Sequence, residues 1–411
     1  MFLQKFDPAS VDPLLLVNRR RDLDWLSERL DAYLKSPPPH AGVSFAFIGD
    51  KGCGKTILTR AAVRKVRDKF SDRVAFVDVN CRDMRTARAV FGHIALQIVD
   101  ALFGFRSLGF KVKNELIASA QILVAITRFD DDVEIKRVHE HIEQFKEAVH
   151  LDGKRTFLKV LGTSLSISLE RSNRTVESMA GSMKFDIPRL ANAVTALFED
   201  IRDEGFDVVV YLDNLDELRH EYRTTDEREG VRADVVALLH MRKAPIVLLL
   251  NVRTYFSSIL GREFPHRRVL GRMSDDELLQ AAYLRLDQEP PHVRDALAEP
   301  SYRAAALRLA SISPAPINFL TWFHRLVDSD DLDVSRLKPG LDGFLATDYA
   351  TVPLSTLKAV AAAFPDVGVP VLRDTLVPVC GGEAVMRQLE ELQIVLPRDF
   401  WNPIEVSLDP Y

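Results

Sequence analysis

Cysteine is scarce: Cys53, Cys81 and Cys380 are the three in 411 residues, far apart and without a C-x-x-C pair. An odd, scattered set excludes a disulfide framework and a zinc ribbon, and it fits a reducing cytoplasm. No run approaches the roughly 18 apolar residues that span a bilayer. The start, MFLQKFDPASVDP, has no charged segment followed by an apolar one, so secretion and membrane insertion are disfavoured. An excess of positive charge is missing too. Lys and Arg number 54 against 59 Asp and Glu, a net of −5, so any nucleic-acid contact has to be local. Internal repeats, low-complexity tracts, a G-x-S-x-G elbow and an H-E-x-x-H helix do not occur. His139 and His141, two apart, do not share a helix face and make a poor metal pair.

What is present is an ordinary folded composition, 47% hydrophobic and 27% charged, in a length that suggests two or three domains. Leu23, Leu26, Leu30 and Leu34 form one helical stripe, which Pro37, Pro38 and Pro39 end, so residues 1–40 read as a docking helix and linker. Short apolar runs at 43–48, 73–80, 207–213 and 244–252 read as buried strands. Helical patterns through Phe70 and over 87–104 lie between the first three, and such alternation implies a parallel sheet. The expected core covers 41–270, with an insert at about 105–185 because the gap before 207 exceeds what a crossover needs. Within the insert, Ile135, Val138, Ile142, Phe145 and Val149 mark an amphipathic helix, and TFLKVLGTSLSISLERS alternates like a hairpin. The charged segment ELRHEYRTTDEREG reads as a mobile loop. Ser274 and Glu277 form a capping box that starts a helix to about Leu286, opening a helical lid over 271–330. Residues 341–411 form a further unit, with helices near 354–364, 370–379 and 383–392 and strands QIVLP and IEVSL, the order of a winged helix.

The chemistry concentrates after the first strand. Gly49-Asp50-Lys51-Gly52-Cys53-Gly54-Lys55-Thr56 satisfies G-x-x-x-x-G-K-[ST] between a strand and a helix, the context a phosphate-binding loop requires. Glycines let backbone N–H groups converge on phosphates at a helix N-terminus, Lys55 adds a point charge, and the Thr56 hydroxyl suits Mg²⁺. An ordinary glycine turn gives no reason for Lys followed by Thr. Cys53 reads as a small filler. A carboxylate at a neighbouring strand end should complete the Mg²⁺ site, and VVVYLDNLDEL supplies Asp213. Asp216 and Glu217 follow, either of which can orient an attacking water.

The order LVNRRRDLDWL, GDKGCGKT, VDVNCRD, VVVYLDNLDEL, IVLLLNVRTYF and SDDELLQAAYLRL, with a C-terminal winged helix, resembles AAA+ ATPases of the origin-recognition and STAND kinds. The resemblance covers most of the chain outside the insert. It implies an α/β parallel-sheet P-loop NTPase core, a helical lid, a winged helix, and ATP with Mg²⁺ as cofactors. It places Arg19 over the nucleotide and a γ-phosphate sensor at Asn251 or, preferred slightly, Arg253. Three departures stand out. Asn214 occupies the place where many relatives carry Glu, with Asp216 three residues after Asp213 as in STAND proteins, so slow hydrolysis or a non-hydrolysing scaffold is implied. The lid stretch SPAPINFL lacks a sensing arginine, and Arg262, Arg267 and Arg268 compete as arginine fingers.

The C-terminal unit has the wrong charge for a duplex reader. From Leu341 to Tyr411 four basic residues face ten acidic ones, and GEAVMRQLEELQ offers one arginine and three glutamates. DNA is therefore disfavoured as its partner, and a protein contact or autoinhibitory role is expected. The basic cluster Arg60, Arg64, Lys65, Arg67 and Lys69 reads as a solvated face, and Trp322 as core. The resulting expectation is a nucleotide-controlled switch that assembles a protein partner or its own copies, in signalling or genome defence. The alternative is a DNA-associated ATPase of replication or transposition.

Overall fold

Strands with apolar residues on both faces need cover on both sides, and the apolar runs assemble into a parallel sheet with helices on each face. The computed structural model describes residues 17–36, 41–50, 52–128, 133–134, 182–183, 187–218, 225–271, 273–286, 299–312, 319–320, 323, 352–365, 369–391, 394–397 and 405–408. In chain order the core comprises α1 (Arg20–Lys35), β1 (Val43–Ile48), α2 (Lys55–Phe70), β2 (Val74–Asn80), α3 (Ala87–Ser107) and α4 (Asn114–Arg128). The two-residue antiparallel pair β3 (Val133–Glu134) and β4 (Ser182–Met183) follows, then α5 (Ile187–Asp203), β5 (Asp207–Asp213), α6 (Thr225–His240), β6 (Val247–Val252) and β7 (His266–Val269).

The sheet order is β2-β5-β6-β1-β7, parallel throughout. Side chains alternate between two apolar layers with the two-residue period of a strand. Phe45, Phe47, Val209, Tyr211, Val247 and Leu249 pack under α1 and α2. Ala46, Ile48, Val208, Val210, Leu212, Leu248 and Leu250 pack under α3 to α6. The Leu26, Leu30 and Leu34 stripe is buried, and Trp25 sets its ring edge-on to Phe45 and Phe47 at 5.7 and 5.8 Å. At the β2 edge, Gln97 of α3 bonds both backbone groups of Asp78, at 3.0 and 2.8 Å, which blunts an edge that would otherwise template another strand.

Three segments differ from expectation. Asn114–Arg128, inside the expected insert, is a core helix that buries Leu116, Ile117, Ala120, Leu123 and Ile126 against α3 and α5. Thr225–Gly230, read as mobile loop, begins α6, because Val231, Val235 and Leu238 give the helix a buried stripe. HRRV at 266–269 forms the edge strand β7, which its polar sequence did not suggest. α3 is long and apolar enough to span a bilayer by length and composition, but Val90, Phe91, Ile94, Ile98 and Leu102 of one face are packed in the core. Val133–Glu134, near the start of the helix expected over 130–149, pair as β3 instead; the rest of that helix, the hairpin over 156–172, Lys51, Trp322 and the linker before 341 lie outside the described residues.

The lid opens with α7 (Asp275–Leu286), followed by α8 (Pro300–Ile312). Its capping box is formed: Ser274 N–H donates to Glu277 Oε2 at 2.8 Å and Glu277 N–H to Ser274 Oγ at 3.3 Å. The C-terminal unit runs α9 (Leu354–Ala363), β8 (Val371–Leu372), α10 (Arg373–Cys380), α11 (Glu383–Glu391), β9 (Val395–Pro397) and β10 (Glu405–Leu408). Its three strands pair antiparallel in the order β8-β10-β9. Gly381, in the left-handed region at φ 93°, ends α10, and Gly382 N–H returns to the Val377 carbonyl at 2.9 Å, closing a Schellman turn.

Candidate nucleotide-phosphate site

The sheet order sets the site. β1 lies beside β6, and β6 beside β5, so the loops leaving the carboxyl ends of these three strands converge where ligands of open α/β sheets bind. The loop from β1 to α2 uses its glycines for two reasons. Gly52 and Gly54 have φ of 74° and 95°, which side chains resist. Gly49 is crowded instead, since a Cβ there would lie 2.8 Å from both Cys53 Sγ and the Leu270 carbonyl oxygen. Cys53 is thus a buried packing partner of the loop.

Gly54 caps α2 without a side-chain hydrogen bond, which leaves the positive end of the helix open to an anion. Lys55, the first residue of α2, is nearly buried, and its ammonium donates to the Gly49 and Asp50 carbonyls at 2.6 and 2.8 Å. Thr56 donates its hydroxyl to Asp213 Oδ1 across 3.2 Å, although 157 positions separate them. Asp50 accepts from the Thr254 hydroxyl at 3.0 Å, tying the loop to the segment after β6.

Asp213, at the end of β5, is 2% exposed. Its Oδ1 also accepts from Asn251 Nδ2 and from the Asn214 N–H, each at 3.1 Å. Asn214 sits in the left-handed region at φ 53° and turns its amide to Asn80 at the end of β2, 2.9 Å away. Asp216 and Glu217 are both buried in the short turn Leu215–Glu217. Arg253 lies against both. Its Nε is 3.0 Å from Asp216 Oδ2, its backbone N–H donates to Asp216 Oδ1 at 3.3 Å, and its Nη2 bonds Glu217 Oε1. Arg82 reaches Glu217 from the far side at 3.2 Å. Burial pushes the Asp216 carboxyl above the usual carboxylate range, against the opposing pull of Arg253 and Lys55.

The two sensor candidates therefore occupy different places: Asn251 stands with Asp213 and Thr56, whereas Arg253 stands with Asp216 and Glu217. Arg19 is elsewhere, donating to the Gly271 carbonyl, while its neighbour Asn18 bonds Glu277 of the capping box, so the segment before α1 meets the start of the lid. Of the finger candidates, Arg268 is held by Asp22 at 2.6 Å over the Trp25 ring, and Arg267 is exposed on β7. Sequence reasoning missed Tyr211, Thr59, Asn80 and Arg82. A signal for two of them was available: Thr59 lies one helical turn after Thr56, and Tyr211 is the one hydroxyl in an otherwise aliphatic strand.

One hydroxyl and one buried carboxylate oxygen suit Mg²⁺, which uses few protein ligands and takes the rest from water and phosphate. Among the described residues no group of three or more His, Cys, Asp or Glu forms a cage for another metal.

No family model and no curated protein matches the chain. Among solved structures it is similar to the Aeropyrum pernix ORC1 protein in complex with DNA, at 15% identity and a TM-score of 0.49, covering 99% of this chain and 93% of that one. It is also similar to Drosophila ORC bound to DNA, at 12% identity and a TM-score of 0.44, covering 99% and 87%. Cdc6p from Pyrobaculum aerophilum is similar at 15% identity and a TM-score of 0.43, covering 100% and 94%. The fold stands on the chain's own geometry: strand order β2-β5-β6-β1-β7, a glycine loop leading into α2, and an acid at the end of β5 facing it make the core an α/β P-loop fold.

Proposed function

We propose that the chain binds Mg-ATP at Gly49–Thr56 and acts as a nucleotide-controlled ATPase with slow turnover. The single observation that carries this reading is the Thr56–Asp213 contact at an open helix N-terminus, because it brings the two expected Mg²⁺ ligands to one point beside the phosphate loop. Lys55 and the backbone of Gly52, Cys53 and Gly54 would hold the phosphates, and Asp50 and Lys51 complete the loop. Thr56 and Asp213 would hold the Mg²⁺, which when bound neutralises phosphate charge. Asp216 or Glu217 orients water. Both are tied to Arg253, and Asn214 replaces the more usual acid, which supports slow hydrolysis. Calorimetry tests the reading: the parent binds Mg-ATP and Lys55→Ala loses most of that affinity. A Lys55→Ala variant within twofold of the parent rejects it.

For the output, a DNA-associated role is favoured over signalling by one observation, the three helices and antiparallel β8-β10-β9 sheet of residues 352–408, which we read as a winged helix, beside a P-loop core. The signalling reading rests on the STAND resemblance, including the spacing of Asp213 and Asp216, and on the acidic charge of residues 341–411. Within α11, Arg387 pairs with Glu383 at 3.3 Å, so duplex contacts would have to come from the rest of the chain. Retention of duplex DNA by the full chain with Mg-ATP, weakening steeply with salt, is the expected result. Retention absent at low salt would return the output to a protein partner.

A further inference from the structure

We infer that Tyr211 is a positioning residue: together with Thr59 it fixes the Asn251 amide, and this pair of contacts sets the carboxylate that Asp213 offers to a divalent cation. The inference rests on the nucleotide reading above and deepens it.

A single phenol interrupts the buried aliphatic run of β5. VVVYLD is otherwise aliphatic up to its last residue, and Tyr211 is 2% exposed. A buried hydroxyl without partners is costly, so its partners define its role. Tyr211 Oη accepts from Asn251 Nδ2 at 2.6 Å.

Asn251 is then fully specified. A carboxylate cannot donate, so the amide must turn its NH₂ to Asp213. One hydrogen goes to Asp213 Oδ1 at 3.1 Å and the other to Tyr211, while Oδ1 accepts from the Thr59 hydroxyl at 3.1 Å. Both amide hydrogens are engaged inside the chain. Asn251 therefore acts through Asp213. Thr56 and Thr59 are one turn apart on α2 and share a face. Thr56 meets Asp213 on β5 and Thr59 meets Asn251 on the adjacent β6, so the helix that starts at the phosphate loop is pinned to both strands.

The test uses the full chain and a fluorescent ADP or ATP analogue, titrated at a series of Mg²⁺ concentrations and again in EDTA. Tyr211→Phe keeps the ring and removes the hydroxyl. The Mg²⁺ needed for half-maximal binding should rise about fivefold, the size expected for losing one buried neutral hydrogen bond, with EDTA affinity within twofold of the parent. Thr59→Val should give a smaller rise of the same kind, and the double variant should fall short of the product of the two because both act through one amide. A merely structural role would weaken binding equally with and without metal. An unchanged Mg²⁺ requirement in both single variants, or equal loss in EDTA, overturns the inference while leaving the nucleotide reading intact. A parent that shows no Mg²⁺-dependent nucleotide binding overturns both.

Discussion

The nucleotide-side core and the C-terminal unit both hold arginines between carboxylates, yet they do so in opposite settings. Arg253, Asp216 and Glu217 are each under 5% exposed and come from the ends of two different strands. Arg373 bonds Glu383 and Glu390 from the beginning and end of one neighbouring helix, at a surface where Glu383 is 44% exposed. Burying three charges is expensive and is tolerated where the fold supplies counter-charges at fixed positions. Arg373 and Glu390 are partly exposed, so their cluster costs less to hold and contributes modestly. The comparison separates buried charges fixed by the ends of two strands, which the proposed function assigns to chemistry, from a cluster that ties one helix to its neighbour.

The sharpest way to break that comparison is to remove each core acid. Asp216→Asn should lower phosphate release about a hundredfold at saturating ATP, or about 2.7 kcal/mol of transition-state stabilisation, with Mg-ATP binding retained. Glu217→Gln should cost less, because Glu217 is also held by Arg82. The reverse order would pass the water-orienting role to Glu217. The pH profile sharpens the assignment. A raised Asp216 pKa means the group becomes protonated at a higher pH than an ordinary carboxylate, so turnover should fall on acidification while free Asp side chains, near 3.9, are still ionised. Asp216→Asn should abolish that acid limb. A limb that persists belongs to another group.

A smaller effect is expected at the other arginine. Arg373→Ala should destabilise the C-terminal unit by about 1–2 kcal/mol, read as an earlier local transition in hydrogen exchange over 371–391, with Mg-ATP affinity unchanged. Four charged contacts are lost there, and two glutamates are left facing each other. An effect on nucleotide affinity would show that the two regions are coupled.

How much of this could be read in the sequence depends on the range of the signal. β1 and β5 fall where their apolar runs begin and end, and Ser274 with Glu277 caps the helix they announced, because these signals are local. β7 was illegible: an edge strand needs no apolar face, and HRRV has none until Val269. α4 was hidden because apolar residues occur nearly all round it, which blurs the helical period, and because the long gap before β5 suggested an insert. Lys55, Thr56 and Asp213 were legible as motif positions. The Thr59–Asn251–Tyr211 contacts were not, since they exist only once β5 is known to lie beside β6 and beneath α2.

The central claim is that Thr56 and Asp213 act as one Mg²⁺ site across 157 positions of chain. A double-mutant cycle with Thr56→Val and Asp213→Asn, read as Mg²⁺-dependent ATP affinity, tests it most directly. The account predicts that each single variant loses most of the metal dependence and that the double variant is scarcely worse, a coupling of about 1–3 kcal/mol. Independent losses that simply add, or full metal dependence in either single variant, would contradict it.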